Sequence, residues 1–220
     1  MRETPAPSAL LFIGSGCAHC PAVLDGLVRL VKEGRLARLE VVNLTVEPKL
    51  GQRHDVGTVP WTRIGPFELY GALSPNELSD WVDYAAAGEG WSAYYAHLLE
   101  NRRLDEVVER IRACPSTLVD LLNLLTSEET SMATRIGISA VMEELPDSKA
   151  LADAVPELEQ LTLSESAQTR ADACHFLGLT GDRRAVPAVR RLLDDEQADV
   201  REIAMETLAI LGEDGPEQPT

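Results

Sequence analysis

Aromatic residues are scarce in this chain. Three Trp, four Tyr and three Phe make up only 5% of 220 residues, while leucine and alanine abound, a bias that predicts a largely helical protein. Positive charge is scarce too: 20 Lys and Arg stand against 36 Asp and Glu, a formal net charge of -16. Non-specific binding to nucleic acid or to an anionic membrane needs a basic surface, so neither is expected as a partner. No apolar run approaches the roughly 18 to 20 residues of a membrane span. The N-terminus lacks the design of a signal peptide, because Arg2 is followed by Glu3 and the run Ala9 to Ile13 is too short, so the cytoplasm is the expected location. Four cysteines do not suggest a disulfide-stapled secreted fold. A composition of 45% hydrophobic and 25% charged residues leaves room for one or two ordinary cores.

What is present is organised around Cys17-Ala18-His19-Cys20. Ala9 to Ile13 reads as a strand, apolar throughout and so central in its sheet. A Gly14-Ser15-Gly16 turn leads into the cysteines, and the amphipathic run Val23 to Val31 follows, with Pro21 early in a helix that stops at Gly34. Strand, glycine turn, C-x-x-C and helix is the order of a thiol redox motif. Two cysteines three positions apart at a helix start sit close enough for a small disulfide. Cys17, on the exposed side of the helix N-terminus, is the expected nucleophile, because unpaired N–H groups and the positive dipole end favour its thiolate. Cys20 is the expected resolving thiol, and His19 is placed to tune the thiolate by a hydrogen bond or a charge. The bland readings are a metal knuckle or an accidental pair. A structural zinc usually wants four ligands, and no second C-x-x-C exists here, so neither metal nor cofactor is expected.

Further along, Leu39 to Leu44 reads as a second strand parallel to the first, which makes a strand–helix–strand crossover. Pro48 to His54 is a short helix or turn. Val59-Pro60, opening a strand pattern Trp61 to Ile64, fits a cis X-Pro bond at a strand start. With the hairpin Trp61 to Tyr70, Gly71 and a closing helix from Ser74 to about Ala86, residues from about Ala9 to Ala86 resemble a thioredoxin-fold domain. The resemblance implies an α/β fold with a central mixed sheet. It also implies that cis Pro60 packs against the cysteines and that the backbone of Val59 pairs with substrate, so Val59, Pro60 and Trp61 form the expected substrate groove. Two positions depart from thioredoxin itself: Leu11 stands where a buried acid is usual, and Gly16 where an aromatic precedes the first cysteine. His19 resembles the histidine of disulfide oxidases and some isomerases in the superfamily. The direction of electron flow is left open between reductase, oxidase and isomerase.

Gly88-Glu89-Gly90 marks a boundary after which nothing is β-like, giving a redox domain over 1–88 and a helical domain over 89–220. The formal charge is -2 for the first and -14 for the second. The second half predicts amphipathic helices over Trp91 to Glu100, Leu104 to Ala113, Thr117 to Leu125, Ser131 to Leu145, Lys149 to Leu161, Ala167 to Leu179, Arg184 to Leu193 and Asp199 to Leu211. Thr169-Arg170-Ala171 and the residues to Gly178 align with Val200-Arg201-Glu202 and onward at a period of 31 residues; Thr134-Arg135 fits 35 residues earlier. An x-R-x-x-A-x-x-x-L register after an acidic loop, with a Val-Pro-x-Val-x-x-Leu-Leu helix between copies, resembles HEAT-like solenoid repeats. That resemblance implies an α-solenoid whose open face binds a protein partner. Met1 to Ser8 reads as a lead-in, and Gly212 to Thr220 as a charged, disordered tail.

The activity expected is thiol–disulfide exchange through Cys17 and Cys20, with a protein client held by the helical array and a redox partner recycling the pair. The rival is an acidic interaction adaptor whose C-x-x-C is only a redox switch; a weaker third reading is a metal carrier using Cys17, Cys20 and His19. Cys174 and Cys114 read as small core residues, and His54 approaches Cys17 only if the fold brings its loop over.

Overall fold

The computed structural model describes residues 5–127, 129–146 and 148–212, so the tail beyond Gly212 and the first four residues of the lead-in lie outside the described residues. The chain divides into two compact units, one ending at Gly90 and the other beginning at Trp91. The first is a mixed four-stranded sheet in the order β2-β1-β3-β4. Strand β1 (Ser8–Ile13) runs parallel to β2 (Arg38–Asn43), and antiparallel to β3 (Trp61–Ile64), which forms a hairpin with β4 (Phe67–Tyr70).

Helix α1 (Cys20–Lys32) and helix α3 (Pro75–Ala87) cover one face of this sheet, while the short α2 (Pro48–Arg53) follows β2. Directly opposed residues on antiparallel strands share a face, so Leu11, Thr62 and Leu69 line the helix side, where Trp81 of α3 packs on Phe67 with ring centroids 5.2 Å apart. Gly26 is where α1 and α3 meet: a Cβ there would lie 2.7 Å from Leu78 Cδ1. Val23, Leu27 and Leu30 of α1 are wholly buried, each contributing about 2 kcal/mol of burial, and so fix the end of the helix that carries Cys20. The capping box between Ser74 and Glu77 starts α3, and Gly88, left-handed at φ 75°, ends it. On the opposite face Phe12 stacks on Trp61 at 5.0 Å.

The second unit is all helical among its described residues. Helices α4 (Trp91–Glu100), α5 (Leu104–Ala113), α8 (Lys149–Leu161) and α9 (Ala167–Leu179) have the bounds that the apolar periodicity predicts, and α7 (Met132–Glu143) and α11 (Ala198–Ile210) lie within a residue or two of theirs. Two predicted helices are broken. Thr117 to Leu125 is a short α6 (Leu118–Leu122) between 3-10 turns at Pro115–Thr117 and Asn123–Thr126. Arg184 to Leu193 is a short α10 (Val186–Arg191) between 3-10 turns at Arg183–Ala185 and Leu192–Asp194. Tight i+3 turns at helix ends are common, and side-chain periodicity alone does not distinguish them from α-helix.

The repeat is visible in hydrogen bonds. Arg170 Nη1 donates to the carbonyls of Ser164 and Glu165, six and five residues back, and Arg201 Nη1 donates to those of Asp195 and Glu196 at the same offsets. Arg170 also reaches the next repeat, forking onto Asp195 at 2.7 and 2.8 Å. Arg135 binds the Leu125 carbonyl and Asp172 at 2.9 Å each. The arginine of each register position thus closes the loop before its own helix, and the first two, Arg135 and Arg170, also tie that helix to the next repeat.

Candidate redox site

The site begins where β1 runs out. Gly14 accepts the Cys17 N–H through its carbonyl at 3.1 Å, which folds the turn back. The end of β2 holds that turn from the side: Ser15 N–H donates to Thr45 Oγ1, Asn43 Nδ2 donates to Ser15 Oγ, and Thr45 N–H donates to Asn43 Oδ1. None of the three residues announces this network by sequence spacing, since Asn43 and Ser15 lie 28 positions apart; only the parallel register brings them together.

Cys17 and Cys20 are joined as a disulfide, with Cα atoms 5.5 Å apart. Helix α1 begins at Cys20 with His19 as its N-cap, and Cys17 precedes it. The consequence for the chemistry is favourable. Cys20, first residue of the helix, has one of the four backbone N–H groups a helix leaves unsatisfied, and that N–H donates to Cys17 Sγ at 3.1 Å. A sulfur that accepts such a bond at a helix N-terminus is better stabilised as thiolate than as thiol. No acidic residue occupies the first turn of α1, and Arg29 and Lys32 stand in its last. Cys20 is buried and Cys17 half-buried, so Cys17 is the sulfur open to attack.

His19 is exposed, and its side chain makes no cap bond to the helix it starts. The Val59-Pro60 peptide is cis, and it sets the Val59 carbonyl 3.7 Å from Cys17 Sγ. In the reduced state that carbonyl can accept the Cys17 S–H; in the disulfide it is a contact only. Gly14 matters here as well, because a Cβ on it would come within 3.2 Å of Val59 Cγ2. The structure therefore brings Cys17, Cys20, Val59 and Gly14 together.

Trp61 does not join them as a groove residue. It is wholly inaccessible, its ring stacks on Phe12, and its indole N–H has no acceptor among the described residues. Alternation along β3 turns it to the sheet face opposite Thr62, where it is packing. His54 caps the same cluster, 5.4 Å from Phe12 and 5.8 Å from Trp61 between ring centroids.

Of the two free cysteines, Cys174 is buried, bonds Thr207 Oγ1 at 3.7 Å, and has its thiol pushed up to about 11 by that burial. Cys114 corrects the sequence reading: it is exposed in the junction before Pro115, with its sulfur 3.4 Å from Ser116 Oγ, and is no part of a core. No group of three or more His, Cys, Asp or Glu that could hold a metal ion occurs among the described residues, and no helix among them is long and apolar enough to cross a membrane.

Residues 10–83 match the family model of a thioredoxin domain, and residues 155–218 match that of HEAT repeats. No curated protein matches the chain.

Proposed function

We propose that this chain, a thioredoxin domain followed by HEAT repeats, is a thiol–disulfide oxidoreductase acting on protein disulfides and dithiols through Cys17 and Cys20. The observation that carries the reading is the Cys20 N–H on Cys17 Sγ at the head of a helix, beside the Val59 carbonyl. In the reducing direction the Cys17 thiolate attacks a client disulfide; the client S–S bond breaks, one client sulfur leaves as thiolate, and a Cys17–client disulfide forms. Cys20 then loses its proton and attacks Cys17 Sγ, which forms the Cys17–Cys20 bond and expels the second client sulfur. Two electrons pass to the client, and an external dithiol restores the pair; the same steps reversed oxidise a client dithiol. His19 tunes the thiolate, and Val59 with Pro60 shapes the groove. The helical repeats hold the client or a partner protein. The exposed free thiol of Cys114 supports a reducing compartment such as the cytoplasm.

The test is dithiothreitol-driven reduction of a model protein disulfide by the full chain. Wild type accelerates it, and Cys17→Ser removes the acceleration while leaving the circular dichroism spectrum unchanged. Equal rates with and without the protein would leave the rival reading, an adaptor whose partner affinity changes when the pair is oxidised.

A further inference from the structure

A cavity of about 320 Å³ opens beside the disulfide. Gly14, Leu44, Thr45, Gln52, Val56 and Val59 are among its walls, and no ionisable side chain lines it. It shares two residues with the redox centre, and both touch Cys17: Gly14 by accepting its N–H, Val59 by its carbonyl 3.7 Å from the sulfur. Space is kept open by absent side chains. A Cβ on Gly14 would meet Val59 Cγ2 at 3.2 Å, and one on Gly51, another wall residue, would meet Leu44 Cδ1 at 2.9 Å.

We propose that this cavity receives the side chain next to the target half-cystine of a client, and that it selects an uncharged aliphatic side chain such as leucine. The proposal rests on the exchange activity inferred above and names its substrate class. A client sulfur bonded to Cys17 lies against Val59, whose carbonyl is 3.7 Å from Cys17 Sγ and which is itself a wall of the cavity, so the adjoining client residue, one backbone step of about 3.3 to 3.8 Å away, is the one brought to the cavity. The walls decide what fits. An aliphatic side chain there loses water against Leu44, Val56 and Val59, whereas a Glu or Lys side chain would give up hydration with no opposite charge to meet it. Gln52, exposed on α2, is a wall position where a charge can be introduced without burying it.

The test uses the reduced full chain against three synthetic peptide disulfides that differ only in the residue before the half-cystine: Leu, Glu or Lys. Hydroxyethyl disulfide, which has no such residue, reports on the exchange chemistry alone. The expected result is a kcat/KM for the Leu peptide at least about tenfold above the other two. Gln52→Lys then raises the Glu-to-Lys peptide ratio and Gln52→Glu lowers it. Reduction of hydroxyethyl disulfide with equal rates for the three peptides would overturn the cavity's role and leave the exchange activity standing. No exchange with any of the four disulfides would overturn both. If the Gln52 variants fail to fold, the wild-type peptide series decides alone.

Discussion

The backbone N–H of Cys20 points at the sulfur of Cys17 across 3.1 Å, so in the proposed exchange the resolving residue also stabilises the attacking one. This bond does not depend on any side chain other than the cysteine itself. It follows from Cys17 lying three residues ahead of Cys20, the residue with which the helix starts. The two thiols of the reduced protein should therefore differ sharply. Iodoacetamide at pH 7 is expected to modify Cys17 in preference to Cys20, which is buried, and a peptide map would read the ratio; preferential labelling of Cys20 would reverse the assigned roles.

His19 stands two residues after Cys17, and its side chain makes no hydrogen bond to the helix it caps. Its influence on the thiolate is then electrostatic rather than through a fixed hydrogen bond to the helix. His19→Ala should slow Cys17 alkylation at pH 7, and His19→Lys, which places a fixed cation at the position, should not. The same slowing in both variants would mean a structural role for His19 as the N-cap residue.

Gly14 is the least conspicuous member of the site. Gly14→Ala places a methyl 3.2 Å from Val59 Cγ2, and the cis-proline loop must give way. A stability loss of about 1 kcal/mol is expected, together with a several-fold fall in kcat/KM for client disulfides, measured by urea unfolding and by turnover. Full activity in a protein of unchanged stability would show that the loop moves freely.

The other two thiols make a cleaner contrast. Cys114 is exposed and Cys174 is buried with its thiol raised to about 11. Native protein treated with a maleimide at pH 7 should label Cys114 rapidly and Cys174 only after denaturation. Labelling of native Cys174 would mean that the packing of α9 against α11 opens readily.

Between the repeats, the Arg170 guanidinium holds the Asp195 carboxyl below the ordinary carboxylate range, by hydrogen bonds first and by charge second. Asp195 thus contributes stability that is present above the unfolded carboxylate range and lost as pH falls through its own lowered value. Its side chain and that of Arg170 are 6% and 10% exposed, so truncating Asp195 leaves Arg170 with the weaker, exposed partner Glu196 at 3.7 Å. Asp195→Asn should cost the helical unit about 3 kcal/mol at pH 7 and flatten the fall of its stability as pH drops below the ordinary carboxylate range. An unchanged pH profile would place the acid sensitivity elsewhere.

Much of this architecture is legible in the chain because local and global signals agree. Ser74 with Glu77 marks the start of α3, Gly34 and Gly88 punctuate helix ends, and Val59-Pro60 stands at the strand start where the cis bond is found. The 31-residue period was readable from Arg170 and Arg201, although not what those arginines do. Their partners, carbonyls five and six residues back and an aspartate of the next repeat, depend on how the helices stack. At the site, Cys17 and Cys20 are legible from spacing. Trp61 is not, because its neighbour Pro60 suggests a groove while strand alternation turns its ring into the sheet. Asn43 and Thr45 escape sequence reading because their roles are contacts across parallel strands, and Gly14 because its role is a close approach to Val59, distant in sequence.

The most direct test of the account is the equilibrium between reduced and oxidised Cys17–Cys20 in glutathione buffers of graded potential, read by alkylation and mass spectrometry. The account predicts a single two-electron transition between a dithiol and an intramolecular disulfide, unaffected by Cys114→Ser. A midpoint near -270 mV would assign the reducing direction and one well above the cytosolic poise the oxidising or isomerising direction. Absence of the Cys17–Cys20 disulfide at every glutathione ratio would contradict the account.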